Sequence, residues 1–118
     1  MSVEGESAPP PSPGNPERLF PFVIRARKLL IGRETLARNL SRLQFVLITT
    51  DISENSRAEI LQSFSNYPII QRYTAADLEK HFGIRKAKVI GFEKSTLAKS
   101  LYAELKESRI NKPEKKSE

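Results

Sequence analysis

Residues 43–51 read Leu-Gln-Phe-Val-Leu-Ile-Thr-Thr-Asp and form the longest apolar run of the chain, which ends abruptly in polar residues. Residues 45–48 do not alternate with polar side chains, a pattern typical of a strand covered on both faces. We therefore expect helices above and below a sheet. Ligands of open α/β sheets tend to bind beyond the ends of such strands, so the polar residues 49–51 mark a first candidate region.

The segments on either side of this strand alternate between extended and helical patterns. Short apolar runs predict further strands at 29–31, 67–73 and 88–92, and amphipathic runs predict helices at 19–28, 34–43, 53–64, 74–82 and 95–107. Two buried helical stripes are expected, made by Leu36, Leu40 and Leu43 and by Ala58, Ile60, Leu61 and Phe64. Because each return between strands passes through a helix, this order predicts a small mixed sheet between helical layers.

The 118 residues are enough for one domain flanked by two tails. Residues 1–17 are rich in proline and nearly devoid of apolar side chains, which predicts a disordered tail. Residues 108–118 are charged and aperiodic and predict a second, basic tail, so the domain is expected at 18–107. No apolar run approaches the roughly 20 residues that span a bilayer. We expect a monomeric cytoplasmic protein without contact to a membrane.

The composition excludes several kinds of site. The chain has no cysteine, which rules out a disulfide framework and a thiolate metal site. His81 is the single histidine and accompanies no serine or cysteine nucleophile motif, and Gly32 lacks the spacing of a phosphate-binding loop. The carboxylates of Asp51 and Glu54 are best explained as charges that stabilise the start of the next helix. We therefore expect no enzyme, no metal and no cofactor.

The charge of the chain favours an anionic partner. The net charge of +6 and the pI near 9.8 suit RNA or DNA, although a basic tail alone gives the same totals. Basic and polar residues gather where strands meet helices, at Gly32, Arg33, Glu34 and Thr35, along one helix face at Arg38 and Arg42, and in the loop at 84–88. Each of these is commonly a solvated loop, but their concentration at the ends of elements favours binding.

Several segments in order resemble one family. Gly32 opens a helix and is followed by Phe-Val-Leu-Ile-Thr-Thr-Asp-Ile-Ser-Glu-Asn at 45–55, Tyr-Pro-Ile-Ile at 67–70, Asp-Leu-Glu-Lys-His-Phe-Gly at 77–83 and Lys-Val-Ile-Gly-Phe at 88–92. Their order and spacing resemble the ribosomal protein superfamily typified by the large-subunit proteins "L-seven-Ae" and "L-thirty-e", and above all its small bacterial members. The resemblance spans about residues 20–105 and implies a three-layer α/β/α sandwich around a mixed four-stranded sheet.

The same resemblance implies binding of structured RNA, of the ribosomal and kink-turn-like kind. The positions that bind RNA in that family fall here on Gly32, Glu34, Thr35, Arg38, Asp51, and Ile84 with Arg85 and Lys86. Arg33 joins this candidate set as a basic residue between Gly32 and Glu34. Glu34 and Thr35 stand where Asn and Glu are usual. An Asn side chain both donates and accepts hydrogen bonds, whereas the Glu34 carboxylate only accepts them and repels phosphate. General binding of structured RNA is the expectation that tolerates this departure.

These residues define a predicted docking face made by residues 32–38, 51–55 and 84–88. In it Arg33, Arg38, Arg85 and Lys86 would neutralise phosphates, and Ile84 would pack against an exposed base. The alternative is a protein-interaction module on the same scaffold, which the departure at Glu34 and Thr35 favours. Protein partners within a ribonucleoprotein also stay open. A small enzyme is the third and least supported alternative.

Overall fold

The computed structural model describes residues 15–111, in which four strands form one mixed sheet. The strands are β1 (Leu29–Ile31), β2 (Leu43–Ile48), β3 (Ile69–Gln71) and β4 (Val89–Glu93), and their spatial order is β1-β4-β2-β3. β4 is antiparallel to β1 and β2, and β2 is parallel to β3. Consequently β1, β2 and β3 all end at one edge of the sheet, here called the carboxyl edge, and they begin at the opposite amino edge.

Five α-helices cover the two faces of the sheet. One face packs against α1 (Phe20–Ala26), α4 (Ala75–Phe82) and α5 (Thr96–Leu105), and the other packs against α2 (Arg33–Arg38) and α3 (Glu54–Ser63). The arrangement is the predicted α/β/α sandwich around a mixed four-stranded sheet. Each layer is tied to the sheet by its own apolar cluster, so neither face is open to water over the central strands.

The central strand β2 confirms the interpretation of the apolar run. Phe45 and Leu47 belong to the apolar cluster under α1, α4 and α5, whereas Val46 and Ile48 belong to the cluster under α2 and α3. All four side chains are fully buried. A strand that contributes alternately to two clusters has no face left for polar residues, which explains the uninterrupted apolar sequence.

Polar caps fix where the longer helices begin. The hydroxyls of Ser53 and Ser95 accept hydrogen bonds from the third residue along each helix, and Thr74 forms a capping box with Asp77 at the start of α4. The capping box agrees with the sequence prediction. Gly83 ends α4 with a φ of +73°, a conformation that glycine adopts at little cost.

The second helix is shorter than predicted. α2 ends at Arg38 and a 3₁₀ turn, Leu40–Arg42, replaces its expected last turn. The cause is Asn39, whose side-chain amide donates to the Thr35 carbonyl at 2.7 Å while its own backbone leaves the helical region. The helical stripe expected over 36–43 is therefore wrong in part, because Leu40 is 38% exposed.

One position of the α3 stripe is also wrong. Ile60 and Phe64 are buried and Leu61 is half-buried, as predicted, but Ala58 is exposed. The helix is predominantly polar, so only a narrow strip of it contacts the sheet.

The described structure continues past both bounds of the predicted domain, 18–107. A 3₁₀ helix, Pro16–Leu19, precedes α1 and buries Pro16 and Leu19. At the other end, residues 109–111 run beside β3, where Ile110 N donates to Ile69 O at 2.9 Å. The remaining parts of the two predicted tails, residues 1–14 and 112–118, lie outside the described residues. No helix within residues 15–111 is long and apolar enough to cross a membrane.

Candidate nucleic-acid interface

Three loops that are distant in sequence meet at the carboxyl edge around one cavity of about 500 Å³. The loop after β1, the start of α3 and the loop before β4 each contribute to its wall. Its apolar lining comes from Ile31, Ile52, Ile60, Ala87 and Val89, and the rest of its lining comes from Gly32, Arg33, Ser53, Ser56, Arg85, Lys86 and Lys88. An apolar floor rimmed by cations suits a flat apolar group that carries negative charge.

Backbone hydrogen bonds extend from the sheet into these loops and hold them in place. Gly32 N donates to Val89 O at 3.0 Å, and Thr49 N donates to Lys88 O at 3.0 Å. Gly32 has a φ of +88°, which lets the chain turn sharply from β1 into α2. The rim of the cavity is thus a direct continuation of the strands.

Two of the four cations at the cavity form ion pairs. Arg33 Nη1 lies 2.7 Å from Glu59 Oε1, and Arg85 Nε lies 3.8 Å from Glu79 Oε2. All four side chains are largely exposed, and pairs of this kind contribute only about 0–1 kcal/mol. Both arginines can therefore exchange a carboxylate for a phosphate at small cost.

The other two cations are held differently. Lys88 Nζ donates to the backbone oxygen of Asp51 at 3.3 Å, which draws it across the mouth of the cavity. Lys86 is exposed and has a φ of +62°, a left-handed conformation that non-glycine residues rarely adopt. Unusual backbone of this kind is concentrated at functional sites.

The Asp51 carboxylate lies beside the cavity and stabilises the loop that follows β2. Both of its oxygens accept from Ala75 N at 3.3 Å, so the end of β2 is tied to the start of α4. The Thr49 side chain, the Ala75 amide and the Lys88 ammonium hold the pKa of the Asp51 carboxyl below its ordinary value. The carboxylate therefore stays ionised and anchors the loop that carries Ile52 and Ser53 into the cavity wall.

The structure brings only part of the predicted docking face together. Gly32, Arg33, Arg85 and Lys86 line the cavity, and Asp51 adjoins it through Lys88. Glu34, Thr35, Arg38 and Ile84 are not among the lining residues.

The positions of two of these explain the difference. Ile84 is half-buried against the apolar cluster under α1, α4 and α5, so its side chain is used by the core. Arg38 ends α2 and lies roughly 7 Å along the helix axis from Arg33, away from the carboxyl edge. The structure therefore does not bring the residue predicted for base packing, Ile84, or the predicted phosphate contact Arg38 into the lining of this cavity.

Sequence reasoning did not identify the apolar floor of the cavity. Ile52, Ile60 and Val89 come from separate segments whose meeting depends on the sheet topology. One signal was available, because Ile31 is an apolar residue directly before the glycine that ends β1, and it is 43% exposed. Lys88 was covered only as part of the basic loop at 84–88.

The residues considered for other chemistry have structural partners. His81 packs edge-on against Phe20 and Tyr73, with ring centroids 5.2 and 5.8 Å apart. The Ser53 hydroxyl at the cavity accepts from Ser56 N as the cap of α3. Within residues 15–111, no group of three acidic or histidine side chains is placed to hold a metal ion.

Several solved structures have a similar fold, among them the two that follow. A protein of unknown function from Bacillus halodurans superimposes with a TM-score of 0.69 and 20% identity, covering 77% of this chain and 96% of that chain. A Giardia lamblia 15.5kD RNA binding protein superimposes with a TM-score of 0.59 and 13% identity, covering 92% of this chain and 97% of that chain. No family model and no curated protein matches the chain. At these identities the comparisons show that the α/β/α sandwich of this chain is shared with both structures.

Proposed function

We propose that this chain binds structured RNA at the carboxyl-edge cavity and acts without catalysis. The observation that carries the proposal is the meeting of three separate loops, which surround an apolar floor with Arg33, Arg85, Lys86 and Lys88. The likeness of the fold to the Giardia lamblia RNA binding protein supports it. Specific RNA recognition typically combines phosphate contacts with the capture of an unstacked base, and this cavity offers groups for both.

Each part of the cavity has a role in this proposal. The four cations would contact phosphates, while Ile31 and Ile52, the apolar lining residues that are not buried in the core, would pack against the faces of a base that the RNA has splayed out of its helix. The hydroxyl of Ser56 and the backbone around Gly32 would contact base edges or sugar hydroxyls. An RNA with a sharply bent internal loop presents such bases. We therefore extend the proposal to kink-turn-like RNA, with ribosomal RNA as the source that the family resemblance favours.

Binding of a labelled RNA to purified protein tests the proposal. The probes are a fluorescein-labelled hairpin with a kink-turn internal loop and a fully paired hairpin of equal length, measured by fluorescence anisotropy over a range of salt concentrations. We expect the hairpin with the internal loop to bind more tightly. If four phosphates are contacted, log affinity falls with log salt at a slope of roughly −3 to −4.

A pair of variants locates the binding site. Replacing Arg85 and Lys86 by Gln removes two cations at the cavity and is expected to make the salt slope shallower by about 1.5 to 2. The matched control replaces two other exposed cations by Gln, Lys80 on α4 and Lys106 just after α5, and should leave the salt slope unchanged. Equal affinities of the two variants for the internal-loop hairpin would rule out the cavity as the RNA site.

A protein-interaction module is the second candidate. The ion pairs Arg33–Glu59 and Arg85–Glu79 favour it, because they satisfy two cavity cations within the protein. Crosslinking in cells, followed by sequencing of attached RNA, separates the two candidates. Recovery of protein partners with no enrichment of RNA over an uncrosslinked sample would support the second candidate.

A further inference from the structure

A second group of cations lies at the amino edge of the sheet, opposite the cavity. Here Glu93 N donates to Lys28 O at 2.8 Å, and Lys94 N donates to Arg42 O at 2.7 Å. These bonds place the ends of three adjacent strands side by side, and α1 ends at the same edge. We call the five cations at this edge the cationic rim: Arg25, Arg27, Lys28, Arg42 and Lys94.

The cationic rim is poorly compensated by acidic groups. Among the described residues, Arg42 has one carboxylate within ion-pair distance, Glu93, at 4.0 Å, and its own side chain is 64% exposed. No described carboxylate lies that close to the other four cations. At the cavity, in contrast, Arg33 and Arg85 each have an acidic partner. The stronger local excess of positive charge is therefore at the amino edge.

Helix stability does not account for all of these cations. Basic residues near the carboxyl end of α1 are favoured by the helix dipole, which covers Arg25 and Arg27. Lys94, in contrast, lies at the amino end of a helix, directly before Ser95, the N-cap of α5. At that end the helix dipole disfavours a cation. Its position beside Arg42 thus adds positive charge where local structure gives no benefit.

Arg27 adds a second, independent observation. It ends α1 in the left-handed region with a φ of +58°, a position at which glycine is the most favourable residue. The chain instead keeps an exposed arginine there and accepts the backbone strain. Strained backbone is concentrated at functional sites, and here it accompanies an exposed cation at the edge where the other rim cations lie.

We propose that the cationic rim is a second contact surface for RNA and binds its phosphate backbone without reading bases. The inference rests on the proposed function, since it assigns the rim to the RNA that enters the cavity. β2 has six residues and spans about 20 Å, so the cavity and the rim must contact separate parts of one RNA. An RNA that engages both must extend past its internal loop and along the side of the sheet.

Two lengths of RNA test this proposal. One probe is the kink-turn hairpin cut to the smallest stem that holds the internal loop, and the other carries the same loop with one helical arm extended. The rim variant replaces Arg42 and Lys94 by Gln, and the control again replaces Lys80 and Lys106. With the extended RNA we expect the rim variant to make the salt slope shallower by about 2 relative to wild type. With the short hairpin the rim variant and wild type should agree.

Replacing Arg27 by Gly removes one rim cation and relieves the backbone strain. We expect a slope shallower by about 1 on the extended RNA, with unchanged resistance to urea or an increase. Loss of binding through misfolding is thereby distinguished from loss of a contact.

The outcomes separate this inference from the proposed function. In one outcome the rim variant binds the extended RNA with the affinity and salt slope of wild type, while the Arg85 and Lys86 variant binds both probes more weakly. That result overturns the proposal for the cationic rim alone. If the wild-type protein binds neither of the two RNA probes, both proposals are overturned. Displacement of the extended RNA by polyglutamate as readily as by unlabelled RNA of equal charge would assign the rim to an acidic protein and also overturn the inference.

Discussion

Gly91 shows how one absent side chain sets the distance between a helix and the sheet. It lies in the middle of β4, paired with Leu30 and Val46, beneath α2. A Cβ atom at this position would lie 2.7 Å from Leu43 Cδ1 and 3.0 Å from Leu36 Cγ. Both leucines are fully buried, so neither can move aside freely. The helix α2 can therefore pack at this distance from the sheet only because residue 91 has no Cβ atom.

We expect Gly91→Ala to destabilise the protein by about 1 to 3 kcal/mol, because the added methyl group overpacks the core. Urea unfolding followed by circular dichroism measures the change. The double variant with Leu43→Ala makes room for the new methyl group and should lose less than the sum of the two single losses. Strict additivity would show that the contact with Leu43 is not the cause.

The carboxylate of Glu17, in the first 3₁₀ helix, contacts two side chains that follow β3. Tyr73 Oη donates to Glu17 Oε2 at 2.6 Å, and the Arg72 guanidinium lies 4.0 Å from the same oxygen. Burial alone would raise the pKa of Glu17, but the Tyr73 hydroxyl and Arg72 together lower it below its ordinary value. Burial and the neighbouring carboxylate also raise the pKa of Tyr73, so its proton stays available for this bond.

A depressed carboxyl pKa contributes stability above the pKa of the unfolded chain, and the contribution disappears as the pH falls through the folded value. We therefore expect Glu17→Gln to cost about 1 to 2 kcal/mol at neutral pH and progressively less from about pH 5 to pH 3. Urea unfolding at a series of pH values measures the difference from wild type. Glu107→Gln, at an exposed carboxylate, is the control and should show a small cost at every pH.

At the scale of elements, the segment 109–111 closes the outer side of β3. The Asn111 side chain accepts from Ile69 N at 2.9 Å and donates to Tyr67 O at 2.8 Å, so it replaces a partner strand. Arg109 Nη1 donates to Tyr102 Oη at 3.0 Å, which joins the segment to α5. An edge strand with open backbone groups is a template for aggregation, and this segment covers it.

We expect Asn111→Ala to destabilise the protein by about 1 to 3 kcal/mol, because two partly buried backbone groups of residues 67 and 69 lose their partners. Urea unfolding measures the loss, and light scattering on warming should show earlier association than in wild type. Asn66→Ala changes an exposed asparagine of the same type and serves as the control. An unchanged onset of association would show that the β3 edge is closed by other contacts.

The order of elements was predictable from sequence because each one carries a local signal. The run at 45–48 identified the central strand, and the capping box at Thr74 identified the start of α4. Two of the failures came where hydrogen bonds of one asparagine side chain decided between two local structures. Asn39 ended α2 early through its bond to the Thr35 carbonyl, and the Asn111 bonds ordered a segment whose composition predicts a tail. Hydrophobic periodicity and amino-acid composition do not predict such hydrogen bonds.

At the scale of the whole molecule, the sheet topology decides which loops share a site. The sequence prediction named the loops at 32–38 and 84–88, and the structure places residues 32–33 of the first and residues 85–88 of the second around the cavity. The sequence prediction also placed Arg38 on the docking face, but the structure does not bring it to the cavity, because a basic residue on a helix face gives no information about which end of the sheet it approaches. The apolar floor was unpredictable for the same reason, because its residues come from three segments that are distant in sequence.

Hydrogen exchange across the whole molecule provides one further prediction. With the short kink-turn hairpin, we expect slower amide exchange at 31–33, 52–56 and 85–89, where backbone and side chains surround the cavity. With the extended RNA, protection should spread to 25–28 and to the turn after β4. Protection confined to α4 and α5 with both RNAs would contradict both proposed surfaces.

The way β3 is closed also affects refolding of the protein from denaturant. The side chain that closes its outer edge, Asn111, is 42 residues away from Ile69 in sequence, so the outer hydrogen-bonding groups of β3 stay open until the end of the chain docks. Two refolding chains that meet in this interval can pair through β3. We therefore expect the yield of refolded monomer to fall with protein concentration, and to fall more steeply for Asn111→Ala than for wild type.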